Sequence, residues 1–256
     1  MTLRGAGIVM TGGSKGLGRA LAFELARRKA RLFLTARGKD DLDRVVRAVR
    51  AQGGDAHGWP ADIADKEAVY PFAGAAHATL GRVDVLIHNA SALGPSPLRP
   101  LLDTDCEDLE RALAVNLIGP FRLSKALLGP MAMSGRGLLV HVTSDASVSA
   151  YPSWGAYAAS KAALDHLGRV WAAELDPLGV RVVNVDPGDM NTELHREAAP
   201  GDDPSTLLDP HEVAERFADL LESVETLPNG ARVALSEWRP PRKDHVLATM
   251  SEGSER

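Results

Sequence analysis

Three observations on this 256-residue chain predict an α/β, doubly wound Rossmann fold: a parallel sheet of about seven strands flanked by helices on both faces. Short apolar runs alternate with longer stretches of helical period along the chain. The runs are continuous in Val, Ile and Leu, as in strands buried on both faces. A glycine-rich segment follows the first run and opens the first helix, where such sheets bind dinucleotides.

The runs at 7–10, 31–35, 83–88, 138–142 and 180–185 read as strands, with 231–235 as a closing one. The helix over 17–29 carries Leu17, Leu21 and Leu25 on one stripe, and that over 41–52 carries Leu42, Val45, Val46 and Val49. Helices over 66–80, 106–133, 156–175 and 210–224 complete the series. The Pro- and Gly-rich stretches 92–100 and 198–210 each lie past a strand end, so they read as active-site loops rather than domain boundaries. Residues 1–236 are therefore expected to form a single catalytic domain. The tail 237–256 is expected to be disordered or to pack at a subunit interface.

Composition narrows the function classes. With 45% hydrophobic and 25% charged residues and a net charge of −5, the chain is neither disordered nor basic enough to favour nucleic acid. Its one Cys forms no internal disulfide, no run approaches a membrane span, and the N-terminal apolar run is too short for a signal peptide, so a cytoplasmic location is expected. The 8 His include no H-E-x-x-H and no Cys/His cluster, so no metal site is expected. His88 and His141 fall on core strands and read as satisfied core histidines, and Cys106 as a buried or interface thiol.

The glycine segment runs Thr11-Gly12-Gly13-Ser14-Lys15-Gly16-Leu17-Gly18. Backbone N–H groups at a helix N-terminus can meet a pyrophosphate there, and glycines let it come close. A nucleophile elbow matches formally but needs sheet upstream, and a P-loop is excluded because Arg19-Ala20 stands where Lys-Ser/Thr is required. About 20 residues past the glycines an acid would hold a ribose diol, but the second strand ends Thr35-Ala36-Arg37. A guanidinium grips phosphate, and Lys15 adds a second cation to the same corner, so the expected cofactor is NADP(H).

Tyr157 and Lys161 are four residues apart on a predicted helix and project from one face. Ser144 closes the strand before them, at the carboxyl end where α/β sheets place ligands. With these residues in view, the sequence resembles the classical short-chain dehydrogenases/reductases over residues 3–192, in an NADP(H)-preferring form. Thr11–Gly18 fits the family's T-G-x-x-x-G-x-G loop, and Asp62-Ile63 its adenine-contacting pair. His88-Asn89-Ala90-Ser91 is similar to N-N-A-G, with Ser91 in place of the glycine, and Pro187-Gly188, Met190 and Thr192 fit P-G-x-x-x-T. Ser144, Tyr157 and Lys161 take the catalytic positions, and Asn116 sits in Val115-Asn116-Leu117.

The resemblance implies that cofactor is held by Gly12, Ser14, Lys15, Gly16, Leu17, Gly18, Arg37, Asp62, Ile63, Asn89, Ala90, Tyr157, Lys161, Pro187, Gly188, Met190 and Thr192. A tyrosine phenol, ordinarily near pKa ~10, exchanges protons at neutrality when a neighbouring ammonium favours its phenolate. Tyr157 is thus the expected acid/base, Lys161 the residue that lowers its pKa, and Ser144 the donor to the substrate oxygen. By resemblance, Lys161 also bonds the nicotinamide ribose and Asn116 holds a relay water. Tyr151 and Trp154 are expected to wall a substrate pocket left open by a short polar lid over 193–208.

The expected activity is NADPH-dependent reduction of a ketone or aldehyde, reversible to alcohol oxidation. An NADP-dependent dehydrogenase of a polyol or hydroxyacyl substrate is the alternative, and a non-catalytic NADP(H) sensor a third. The expected partner is a small carbonyl or alcohol, with no nucleic acid and no membrane. Ala156, Ala159, Ala163 and Trp171 offer a helix face for a homodimer or homotetramer.

Overall fold

A computed structural model describes residues 1–241. The elements, in order, are β1 (Gly7–Thr11), α1 (Gly16–Arg27), β2 (Arg31–Thr35), α2 (Lys39–Ala51), β3 (Asp55–Gly58), α3 (Lys66–Leu80) and β4 (Val85–His88). Then follow α4 (Cys106–Leu113), α5 (Gly119–Met133), β5 (Gly137–Val142), α6 (Gly155–Leu175), β6 (Val180–Asp186), α7 (Glu193–Ala198), α8 (Pro210–Glu222) and β7 (Ala231–Ala234). The sheet has seven parallel strands in the order β3-β2-β1-β4-β5-β6-β7. The strand order reverses between β1 and β4, and at such a switch point the carboxyl ends leave a crevice.

Alternate strand residues feed two cores. Ile8, Met10, Leu32 and Leu34 pack with Leu21, Leu42 and Phe217 of α1, α2 and α8 on one face. Val9, Phe33, Leu86 and Leu139 pack with Phe72 of α3, and with Leu123 and Leu127 of α5, on the other. Both faces being covered explains why the strands read as unbroken apolar runs.

The sequence reading departs from the structure at several elements. β3 was missing from the apolar runs because Asp-Ala-His-Gly is an edge strand with only Ala56 fully buried. The strand predicted from residue 83 begins at Val85, and Asp84 instead turns its carboxylate back to accept the Gly7 N–H at 2.9 Å. The helix predicted over 106–133 is broken by a wide π turn at Ala114–Ile118, which carries Asn116. Cys106, expected to be a buried or interface thiol, is exposed on this single chain. At the other end, Trp238 packs on the core, and its carbonyl accepts from Arg216 at 3.3 Å, so ordered packing runs past residue 236. The rest of the predicted tail, 242–256, lies outside the described residues.

Candidate active site

The carboxyl ends of the central strands open onto a cavity of about 1020 Å³, which runs from Arg37 and Asp62 past the glycine loop to Ser144, Tyr157 and Lys161. The residues expected from sequence to hold a nucleotide or do chemistry all line it, Asn116 excepted.

The glycine loop is shaped by close packing. A Cβ on Gly18 would sit 2.0 Å from the Gly12 carbonyl oxygen, and Gly12 itself has φ +71°. Asn89 ties the loop to β4: its Nδ2 donates to the carbonyls of Thr11 at 3.1 Å and Gly12 at 3.0 Å. Thr11 Oγ1 in turn accepts the Asn89 and Ala90 N–H groups, each at 3.1 Å. The first turn of α1 has neither a capping side chain nor an acidic residue, so its N–H groups are available to an anion.

At the far corner Asp62 pairs with Arg111 at 2.8 Å rather than with Arg37. Burial would raise the Asp62 carboxyl, but the Arg111 and Ala64 hydrogen bonds and the nearby charge of Arg37 hold it below its ordinary range. Lys15 lines the same corner, and its charge is partnered there. Its ammonium donates to Glu193 at 2.7 Å and lies 3.8 Å from Asp41, fastening the first residue of α7 to the glycine loop.

The inner end gathers the predicted catalytic residues. Tyr157 and Lys161 lie one turn apart on α6, buried to 7% and 2% exposure. Lys161 Nζ donates to the Val142 carbonyl at 2.8 Å and lies 5.5 Å from the Tyr157 ring centroid. Trp154 meets that ring edge-on at 5.6 Å. Ser144 Oγ donates to Asp145 Oδ1 at 2.9 Å and accepts the Ala146 N–H at 3.2 Å.

Burial pushes the Tyr157 phenol up to about 12, against the hydroxyls of Ser144 and Ser91, which favour the phenolate. Burial also pushes Lys161 down to about 8, against the charge of Asp165. In the protein's own charge set desolvation outweighs the two hydroxyls, so the phenol lies above its ordinary value; the positive charge of an oxidised nicotinamide would act in the opposite direction.

The Asn116 side chain is fully engaged within the protein. Its Nδ2 donates to the Ala92 carbonyl and to Ser160 Oγ, each at 2.8 Å, and its Oδ1 accepts the Ala92 N–H at 2.8 Å. Both amide protons are committed, so the side chain braces the π turn against the segment after β4 and against α6. His88 and His141 are each bonded through one ring nitrogen, to Ser124 and Asn184, while His88 Nδ1 and His141 Nε2 lack partners.

Sequence reasoning missed Arg232. From β7 its Nη2 donates to the Ser144 carbonyl and to Asp186 Oδ2, each at 2.9 Å, and its Nε to Asp165 Oδ2 at 3.2 Å. The available signal was an arginine in the middle of the apolar run 231–235. The lid over the expected open pocket contains α7, and His195 bonds Asp202 at 2.8 Å. Tyr151 and Trp154 line the cavity, and Tyr151 donates to Asp145 Oδ2 at 2.6 Å.

The model of the short chain dehydrogenase family matches residues 6–203. The chain belongs to that family. A short chain dehydrogenase of Pseudocercospora fijiensis is 34% identical over 224 residues, 86% of this chain and 70% of that one. The 7alpha-hydroxysteroid dehydrogenase of Escherichia coli is 31% identical over 193 residues, 75% of this chain and 74% of the relative. Among solved structures, a metagenomic short-chain oxidoreductase in complex with NADP is 31% identical, with TM-score 0.77 over 95% of this chain and 100% of its own. NAD+-bound xylitol dehydrogenase is 25% identical, with TM-score 0.81 over 91% and 98%. This short-chain dehydrogenase is accordingly an oxidoreductase acting on the CH–OH/C=O pair. Its own residues fit a nicotinamide dinucleotide, with an uncapped helix terminus at mid-cavity beside glycines that leave room for close approach. Among the described residues no helix is long and apolar enough to cross a membrane.

Proposed function

We propose that this dehydrogenase is an NADPH-dependent reductase of a ketone or aldehyde, reversible to alcohol oxidation, in which Ser144, Tyr157 and Lys161 handle the substrate oxygen and its proton. The observation that carries the reading is their convergence, with Tyr157 and Lys161 buried one turn apart on α6, at the inner end of the cavity. A phenol there can give a proton to a carbonyl oxygen, which is what reduction requires, once neighbouring positive charge brings its pKa toward neutrality. The nicotinamide, when bound, supplies or takes the hydride.

Gly12, Ser14, Gly16, Leu17 and Gly18 would hold the pyrophosphate, Asp62 and Ile63 the adenine, and Asn89, Ala90, Pro187, Gly188, Met190 and Thr192 the nicotinamide half. The Tyr157 hydroxyl gives its proton to the substrate oxygen in reduction and takes it back in oxidation. Lys161, with its pKa near 8, keeps a mobile proton at Nζ beside the phenol and would bond the nicotinamide ribose. Ser144 orients the substrate oxygen, and Trp154 with Tyr151 walls the pocket. Arg37, at the end of β2 with Asp62 paired elsewhere, supports NADP(H) over NAD(H). Ile118 in the turn before α5, Phe121 on α5 and Val170 on α6 are exposed apolar residues, and support a homodimer or homotetramer.

A panel of ketones, aldehydes, polyols and hydroxyacyl compounds, read by nicotinamide absorbance with each nucleotide, tests the proposal. Carbonyl-dependent NADPH oxidation is expected. Turnover confined to polyols or hydroxyacyl compounds would favour the alternative, and none with any compound would favour a sensor.

A further inference from the structure

Ser91 follows β4 between two residues whose backbones are pinned. The Ala90 N–H donates to Thr11 Oγ1 at 3.1 Å, and the Ala92 N–H and carbonyl are both tied to the Asn116 amide at 2.8 Å. Neighbours, rather than any bond of its own, therefore hold the Ser91 side chain in place. Its Oγ is buried and makes no hydrogen bond of ordinary geometry. Buried hydroxyls are normally bonded, so an unpartnered one calls for a reason. Ser91 lines the same cavity as Ser144 and Tyr157, and its hydroxyl lies near enough to the phenol to favour the phenolate.

Ser144 stands differently. A hydroxyl has one proton to donate, and Ser144 gives its proton to Asp145 Oδ1 at 2.9 Å. To donate to a substrate oxygen, Ser144 must first release Asp145. Ser91 has no such acidic acceptor to release.

We propose that Ser91 is a second catalytic hydroxyl, which donates to the substrate oxygen at which Tyr157 delivers or takes its proton. Together with Ser144 it stabilises the negative charge that develops on that oxygen. Ser91 keeps its own proton throughout; the proton that moves is the phenol's. The brace made by Asn116 acquires a purpose here, because it fixes the backbone on which Ser91 stands. The inference rests on the reading of Tyr157 as acid/base, and its test separates the two.

The test uses the full chain carrying Ser91→Ala, Ser91→Thr, Ser144→Ala, the Ser91→Ala/Ser144→Ala pair or Tyr157→Phe. The substrate is the panel carbonyl that the unaltered protein turns over fastest. Turnover is read beside NADPH affinity, followed by quenching of tryptophan fluorescence without substrate. Ser91→Ala is expected to lower kcat by about 10- to 100-fold, with KM and NADPH affinity within about twofold. Ser91→Thr, which keeps the hydroxyl, is expected to recover most of the loss, and the pair to fall at least about tenfold below Ser144→Ala alone. If Ser91→Ala keeps kcat within about twofold, or loses NADPH affinity instead, while Tyr157→Phe is inactive, the second hydroxyl is refuted and the acid/base reading stands. An active Tyr157→Phe overturns that reading itself. If Ser91→Ala fails to fold, Ser91→Cys, of similar shape with a weaker donor, is judged by the same criteria.

Discussion

Arg232 donates a guanidinium N–H to the carbonyl oxygen of Ser144 at 2.9 Å, across 88 residues of chain. The same side chain pairs with Asp186 at the end of β6 and with Asp165 on α6, whose side chains are 9% and 6% exposed. One residue of the last strand thus locks the serine, the start of the Pro187-Gly188 turn and the catalytic helix into a single unit. Removing one partner from such a cluster leaves buried charge uncompensated.

Arg232→Met is accordingly expected to cost about 3 kcal/mol of stability, measured by denaturant unfolding. Turnover is expected to fall by about tenfold or more through a displaced Ser144, with nucleotide affinity little changed. A variant as stable and as active as the unaltered protein would show that the network is incidental.

Arg37→Asp is expected to weaken NADPH binding by about 100-fold while changing NADH binding by less than about fivefold, because a carboxylate repels the 2′-phosphate and accepts from the ribose diol. Fluorescence titrations with both nucleotides check this. Equal losses would remove the case for NADP(H).

Acid stability is expected to follow the histidine pair. The rings of His88 and His141 lie 5.5 Å apart between β4 and β5. Burial pushes His141 down to about 4 and His88 well below its ordinary value. Between pH 4 and 6.5 the unfolded chain therefore binds protons that the folded one refuses, and stability falls as pH falls through that window. The loss from His141 alone is on the order of 3 kcal/mol. His141→Asn, which does not titrate, is expected to flatten the midpoint-versus-pH curve there, and an unchanged slope would locate the acid sensitivity elsewhere.

Much of the architecture was legible in the sequence because burial of both sheet faces wrote itself as unbroken Val, Ile and Leu runs. The glycine loop was legible because Gly12 and Gly18 meet backbone that no side chain could approach. Ser144, Tyr157 and Lys161 were legible from a helical spacing and a strand end. What escaped was set by tertiary pairing. β3 is an edge strand that buries little, and the π turn depends on bonds from Asn116 to residues 24 and 44 positions away. Arg232 finds its three acceptors only once β7 lies beside β6. The pairing of Lys15 with Glu193 escaped for the same reason, since 178 residues of chain separate them.

The central claim is that the Tyr157 hydroxyl moves the substrate's proton, and Tyr157→Phe tests it most directly. The variant keeps the ring that packs against Trp154 and removes only the oxygen. Carbonyl-dependent NADPH oxidation is expected to fall by at least about 1,000-fold, with NADPH affinity within about twofold of the unaltered protein. Turnover near the original rate, with the nucleotide still bound, would contradict it.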